Sequence, residues 1–144
     1  MVICRYSFHR DVHFGNFLFE GKQFCGYIDF DLSQRNIRIF DLCYFLLGLL
    51  CEEETLEITE EKWFQVLKQV FRGYMEVNEL FSQELQAVPY VMKSIELLFV
   101  AWFWGQKDMK CCEDAVKLLG FVDENSEKIL NALGSLEEAV SVNE

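Results

Sequence analysis

His9-Arg10-Asp11-Val12-His13-Phe14-Gly15-Asn16 is the stretch from which the rest of the chain is read, together with Ile28-Asp29-Phe30-Asp31 and Phe40-Asp41-Leu42 further on. Acids and an amide recur in it at short intervals: Asn16 lies five residues after Asp11, Asp29 thirteen after Asn16, and Asp41 twelve after Asp29. Carboxylate and amide oxygens are the ligands that a hard cation such as Mg²⁺ takes, usually few from the protein, with water and phosphate completing the shell. A neighbouring carboxylate can orient a hydroxyl and accept its proton. Phosphoryl transfer asks little more covalent chemistry of a protein. The pattern therefore nominates Asp11 as a base and Asn16 and Asp29 as metal ligands, provided the residues between them fold back. Residues 17–19 and 24–30 read as two strands turned at Glu20-Gly21-Lys22-Gln23. Such a hairpin carries Asn16 at one end and Asp29 at the other.

Each residue also has a plainer reading. Asp11, His13 and Asp29 are residue types that turns and caps favour, and an isolated His-x-Asp means little. The ordered set is what is rare. A zinc hydrolase is the competing use of His9-x-Asp11-x-His13. Catalytic zinc commonly takes three protein ligands rich in histidine, but the chain has only two histidines, and this reading leaves the downstream spacing unexplained.

The interval from Asp11 to Asn16 is that of the protein-kinase pattern H-R-D-L-x-x-x-N. The whole set, His9-x-Asp11-x-His13-x-x-Asn16 followed by Ile28-Asp29-Phe30-Asp31, resembles the aminoglycoside phosphotransferase and choline kinase family, closely over about residues 5–50 and loosely beyond. His13 is typical of the small-molecule kinases. The short interval from Asp29 to Asp41 leaves no room for the long activation segment of protein kinases. The resemblance implies that Asp11 is the catalytic base, that Asn16 and Asp29 bind Mg²⁺ at the ATP phosphates, and that Asp41 braces the catalytic-loop backbone with support from His9. His13 either packs the loop or plays a polar part near the phosphates. Asp31 is a second metal-side carboxylate or a turn residue.

The implied reaction is ATP-dependent phosphorylation of a small-molecule hydroxyl on an aminoglycoside, choline or homoserine-like acceptor. The acceptor itself is not legible, because its contacts lie in the variable helices. The implied architecture is a kinase-like C-terminal lobe. A further lobe would cover the nucleotide and bring a lysine to its phosphates; no two glycines here stand at G-x-G spacing and no P-loop occurs. Two expectations follow. The chain is a partial enzyme whose N-terminal lobe is absent or is another chain, or it is a non-catalytic remnant or binding module of the same fold.

The 144 residues form one domain, or part of one, and an apolar share of 51% with 15% aromatics is ample for a core. A net charge of −11 argues against nucleic acid as partner. It suits a cationic acceptor, or simply a solvated acidic helix surface. The six cysteines, at 4, 25, 43, 51, 111 and 112, show no metal-type pairing, and adjacent Cys111-Cys112 is poor disulfide geometry; a reduced, cytoplasmic protein is expected. No signal peptide is visible. The apolar runs 39–51 and 95–105 are too short to span a bilayer, so no membrane partner is expected.

The predicted fold is mainly α with a small β-hairpin (α+β): a catalytic core over 5–50 and a helical subdomain over 59–140. Residues 32–37 read as a polar connection. Residues 39–50 read as a helix apolar on most sides, hence buried. Asp41 within it needs partners, and the backbone amides of the His9 to Asp11 loop are the candidates. Glu52-Glu53-Glu54 reads as a solvated cluster. Thr59 caps a helix over 60–77 with Trp63, Val66, Leu67, Val70 and Tyr74 inward. A third helix opens at Pro89 and stops at Gly105, with Ile95, Leu98, Phe99, Trp102 and Phe103 in its apolar set. Trp102 reads as core; paired with Trp104 it could instead form an aromatic box for a cation. Two closing helices, over 110–119 and 126–140, are separated by Gly120 and Asp123-Glu124-Asn125.

Overall fold

A computed structural model describes residues 5–51 and 58–141. In chain order the elements are strands β1 (Arg5–Phe8), β2 (Phe17–Glu20), β3 (Gln23–Tyr27) and β4 (Gln34–Ile37), then helices α1 (Phe40–Cys51), α2 (Glu60–Met75), α3 (Ser82–Gln106), α4 (Met109–Glu124) and α5 (Ser126–Ser141). The chain is mainly helical, with two separate antiparallel strand pairs rather than one hairpin.

The hairpin β2–β3 turns at Gly21, whose φ of 62° is the left-handed conformation that glycine takes without a Cβ clash. Phe17 faces Tyr27 across it, and the register shifts between Leu18 and Phe19. Phe17 stacks on Phe45 of α1 with ring centroids 5.6 Å apart. The other aromatic side chains of the hairpin are largely exposed.

The second pair corrects the reading of residues 32–37 as a connection. There β4 pairs with β1, Arg5 opposite Ile37 and Phe8 opposite Gln34. Gln34-Arg35-Asn36-Ile37 has little intrinsic strand character. A partner distant in sequence makes it a strand, and local pattern does not carry that information. The consequence is functional: β1 delivers the chain to His9 and β4 delivers it to α1, so the pair ties the two ends of the loop-and-hairpin segment together.

Ile39, Cys43, Leu46, Leu47 and Leu49 pack with Trp63, Leu67 and Phe71 of α2, with Val88, Met92 and Ile95 of α3, and with residues of α4 and α5. Trp63 is fully buried; its indole N–H donates to the Leu46 carbonyl at 2.8 Å and its ring meets Phe121 edge-on. Thr59 caps α2, accepting from the Lys62 amide at 3.3 Å.

The boundaries of α3 differ from expectation. It opens at Ser82, where Glu84 accepts from the Phe81 amide at 3.0 Å, and Pro89 lies inside it, buried. Proline lacks the N–H that would bond the carbonyl four residues back; burial in the core holds the helix through it. Gly105 does not end the helix: Lys107, with φ 60°, does, and Asp108 caps α4 by accepting from the Cys111 amide at 3.1 Å. Likewise α4 continues through Gly120 to Glu124. Trp102, read as core from the sequence, is 62% exposed, and Leu98 of the same apolar set is 67% exposed. Residues 95–104 are apolar on nearly every side, so periodicity there cannot choose a face.

The run 95–105 is thus the end of a 25-residue helix that is long and apolar enough, by length and composition, to cross a membrane. Here it packs against α1, α4 and α5. The Glu52-Glu53-Glu54 cluster lies outside the described residues.

Candidate active site

The loop from His9 to Asn16 is held from beneath by Asp41 in the first turn of α1. Its Oδ2 accepts from the His9 amide at 2.7 Å and its Oδ1 from the Arg10 amide at 2.8 Å. Arg10 has φ 75°, a strained conformation for a residue with a side chain, and these bonds hold it. Burial pushes the Asp41 carboxyl above the usual carboxylate range, while the two amides and the His9 ring pull the other way. His9 is buried. Its Nε2 lies 2.7 Å from the Ile28 carbonyl and its ring 4.6 Å from Phe30, so it joins the loop to the end of the hairpin.

Asp11 is fixed at both carboxylate oxygens. Tyr44, one helical turn after Asp41, donates its hydroxyl to Oδ1 at 3.1 Å; Asn16 donates Nδ2 to Oδ2 at 3.1 Å and to the Asp11 carbonyl at 2.9 Å. Burial and the Asp11 carboxylate push the Tyr44 phenol up to about 12, so it remains a donor. His13 accepts the Gly15 amide on Nδ1 at 3.1 Å, and its Nε2 stands 3.6 Å from Asp11 Oδ2. A Cβ on Gly15 would lie 2.7 Å from His13 Cε1, so a side chain there would displace the His13 ring.

Asn16 is brought to Asp11 by this loop, and its carbonyl accepts from the Ile28 amide at 3.0 Å, closing the hairpin base. Asp29 follows at once, exposed and with φ 62°. It sits at the Asn16 end of the hairpin and makes no hydrogen bond to Asp11 or Asn16. Asp31 is exposed in a turn closed by the Ser33 amide on the Phe30 carbonyl at 2.9 Å.

Among the described residues no three His, Cys, Asp or Glu side chains form a metal cluster. The donor chemistry still fits a hard cation. With Nδ2 of Asn16 committed to Asp11, its Oδ1 is left to act as an oxygen ligand, and Asp29 supplies a carboxylate. Two such ligands are what Mg²⁺ takes from a protein when phosphates and water supply the rest.

A cavity of about 690 Å³ opens beside this loop between α1, α3 and α4. His13 and Tyr44 stand in its wall, as do Glu96, Phe99 and Phe103 of α3 and Cys111, Asp114 and Lys117 of α4. The sequence reading missed Tyr44. The available signal was a lone polar ring in an otherwise apolar helix, three residues after an acid on the same face.

Asp11 thus stands behind Tyr44, which lines this cavity, and beside Asn16, the arrangement that a phosphotransferase would need of a base and a metal ligand. The model of the Phosphotransferase enzyme family matches residues 7–80, just over half of the chain, and the chain belongs to that family. The match runs from β1 through α2 and ends before α3. No curated protein and no solved structure matches the chain.

Proposed function

We propose that the chain is the catalytic-loop and substrate lobe of a kinase-like, ATP-dependent phosphotransferase that acts on the hydroxyl of a small molecule. The observation that carries this reading is the state of Asp11, gripped at one oxygen by Tyr44 and at the other by Asn16 on a loop that Asp41 braces. Asp11 would orient the acceptor hydroxyl and take its proton. Tyr44 and Asn16 fix the direction in which the carboxylate faces, so little reorganisation is needed when the proton moves. Asn16 and Asp29 would hold Mg²⁺ at the ATP phosphates, where it would neutralise charge that develops during transfer. His13, beside Asp11, would meet the phosphates. His9 and Asp41 hold the loop and touch nothing that reacts. A cytoplasmic setting belongs to this reading, since the free thiols of Cys25, Cys43, Cys51, Cys111 and Cys112 stay reduced there.

The test is Asp11→Asn in the enzyme assembled with its nucleotide lobe. Turnover should fall by about 10²–10⁴-fold, the usual weight of a general base, while Mg-ATP affinity persists. Near-normal turnover overturns the assignment. A second reading, a binding module of the same fold without catalysis, is favoured by the lack of a glycine-rich phosphate cover among the described residues. Tight, magnesium-dependent ATP binding by the 144-residue chain counts against that module.

A further inference from the structure

On α3, Ala87, Tyr90, Ser94, Leu97, Ala101 and Trp104 follow one another at alternating intervals of three and four residues. Tyr90, Leu97 and Trp104 are 67%, 55% and 66% exposed; Ser94 and Ala101 are exposed as well, and Ala87 is half-buried at the margin. Val88, Met92 and Ile95, on the far side of the helix, lie in the core. The spacing is that of a coiled-coil seam, in which helices meet along positions a and d of a heptad. Here each a position is small (Ala87, Ser94, Ala101) and each d position is large (Tyr90, Leu97, Trp104). We propose that this face docks a second copy of the chain, the two α3 helices packing antiparallel about a two-fold axis level with the turn from Ser94 to Leu97. The seam includes no residue of the Asp11 loop, and its pairing is independent of the phosphotransferase reading.

The sequence of the seam is complementary to itself. In an antiparallel pair each d residue meets an a residue of the other helix. The layers then set Tyr90 against Ala101, Leu97 against Ser94, and Trp104 against Ala87 of the second copy, large on small throughout, as close packing asks. The two-fold repeats each layer, which is what an isologous contact requires. A parallel pair would set small on small and large on large, with gaps in one layer and crowding in the next. Charge agrees. Between Lys93 and Lys107 the only charged residue is Glu96, which is buried, and Lys93 at the margin is engaged with Asp123 at 2.8 Å. Each copy carries a net charge of −11, so two copies meet at least cost through a face that carries none. The Ser94 hydroxyl already donates to the Tyr90 carbonyl at 2.7 Å, so its burial strands no donor. Area agrees too. With Leu98 and Trp102, exposed beside the seam, the face offers roughly 600 Å² of apolar surface per copy, on about 150–250 Å² for a whole aromatic side chain. Two copies together bury about 1,200 Å², the lower edge of stable specific interfaces, which fits a reversible dimer rather than an obligate one.

The experiment is sedimentation equilibrium of the 144-residue chain over about 1–200 μM, where a monomer–dimer equilibrium of micromolar dissociation constant should appear. Raising salt from about 50 to about 500 mM should tighten it, because the repulsion between two acidic copies is screened. Leu97→Glu should leave the chain monomeric throughout with its melting temperature unchanged, since Leu97 is exposed in the single copy. Ala101→Leu adds apolar surface but fills a small position, so it should weaken association by about tenfold or more. Adding Tyr90→Ala to Ala101→Leu exchanges large and small within the same layer and should restore the dimer. The proposal is overturned if the wild-type chain is monomeric at about 200 μM, if Ala101→Leu associates as tightly as wild type, or if the exchange fails to rescue it. Monomers that bind phosphatidylcholine–phosphatidylserine vesicles through Leu97 and form no dimer in solution would assign the face to lipid, and overturn it as well.

Discussion

At the scale of single residues, the proposed role of Asp11 as a base turns on Tyr44. Its hydroxyl is one of two side-chain donors to Asp11. Hydrogen bonds to charged groups are worth about 1.5–3 kcal/mol, and 1.4 kcal/mol is a factor of ten. Tyr44→Phe should therefore lower kcat about tenfold or more and leave the nucleotide KM and the melting temperature nearly unchanged; a wild-type kcat would detach Tyr44 from the base. Glu96 makes a different prediction, in stability. Its carboxyl lies at about 7 in the folded chain against an ordinary value of 4.5. Between these values the folded state binds more protons than the unfolded one. Stability is thus fully present below about pH 4.5 and falls as pH rises through 7. After allowance for solvent reaching the carboxyl through the cavity, the loss is about 2 kcal/mol. Urea unfolding at pH 5 and pH 8 should show this decline in wild type and a much flatter profile in Glu96→Gln. The spacing of Asp11, Asn16, Asp29 and Asp41 could be read directly, because loop chemistry is local. Tyr44 and Glu96 could not, because each acquires its role from a neighbour on another element.

At the scale of elements, two junctions set where α3 lies. At its start, Arg38 Nε donates to Glu84 at 2.8 Å, and the same carboxylate accepts the Phe81 amide. Arg38 is nearly buried, and its guanidinium holds the Glu84 carboxyl below the usual range. Removing one partner of a buried pair leaves the other uncompensated. Arg38→Met should cost about 2 kcal/mol, less than a wholly buried pair because Glu84 is partly solvated, and should move the midpoint of urea unfolding accordingly. At the other end, Lys107 adopts the left-handed conformation. That conformation costs a residue with a side chain about 1 kcal/mol. Lys107→Gly should raise the melting temperature, and a lowered one would show that the lysine side chain matters to the α3–α4 turn. Neither boundary was visible beforehand. Pro89 and Gly105 are strong local signals, and both were overridden by packing and by a cap formed two residues further on.

At the scale of the molecule, apolar burial is unevenly distributed. The core joins the helices, whereas β2 and β3 expose most of their side chains and hold chiefly to each other and to α1 through Phe17 and Phe45. Segments with few buried contacts open locally at low free energy. Hydrogen exchange should therefore show the hairpin amides exchanging well before those of α1, α2 and the first half of α3; equal protection throughout would mean that the hairpin is packed more firmly than its exposure implies. The sequence by itself determined the helical class, the hairpin turn at Gly21, the capped start of α2 and the membership of the Asp11 loop in a phosphotransferase pattern, because each rests on spacing within a few residues or on a recurring motif. Only the tertiary structure decided the β1–β4 clasp, the extent and facing of α3, and the placing of Tyr44 and Glu96 in the wall of one cavity. Those depend on contacts between segments distant in the chain, where hydrophobic periodicity is silent on which apolar face finds a partner.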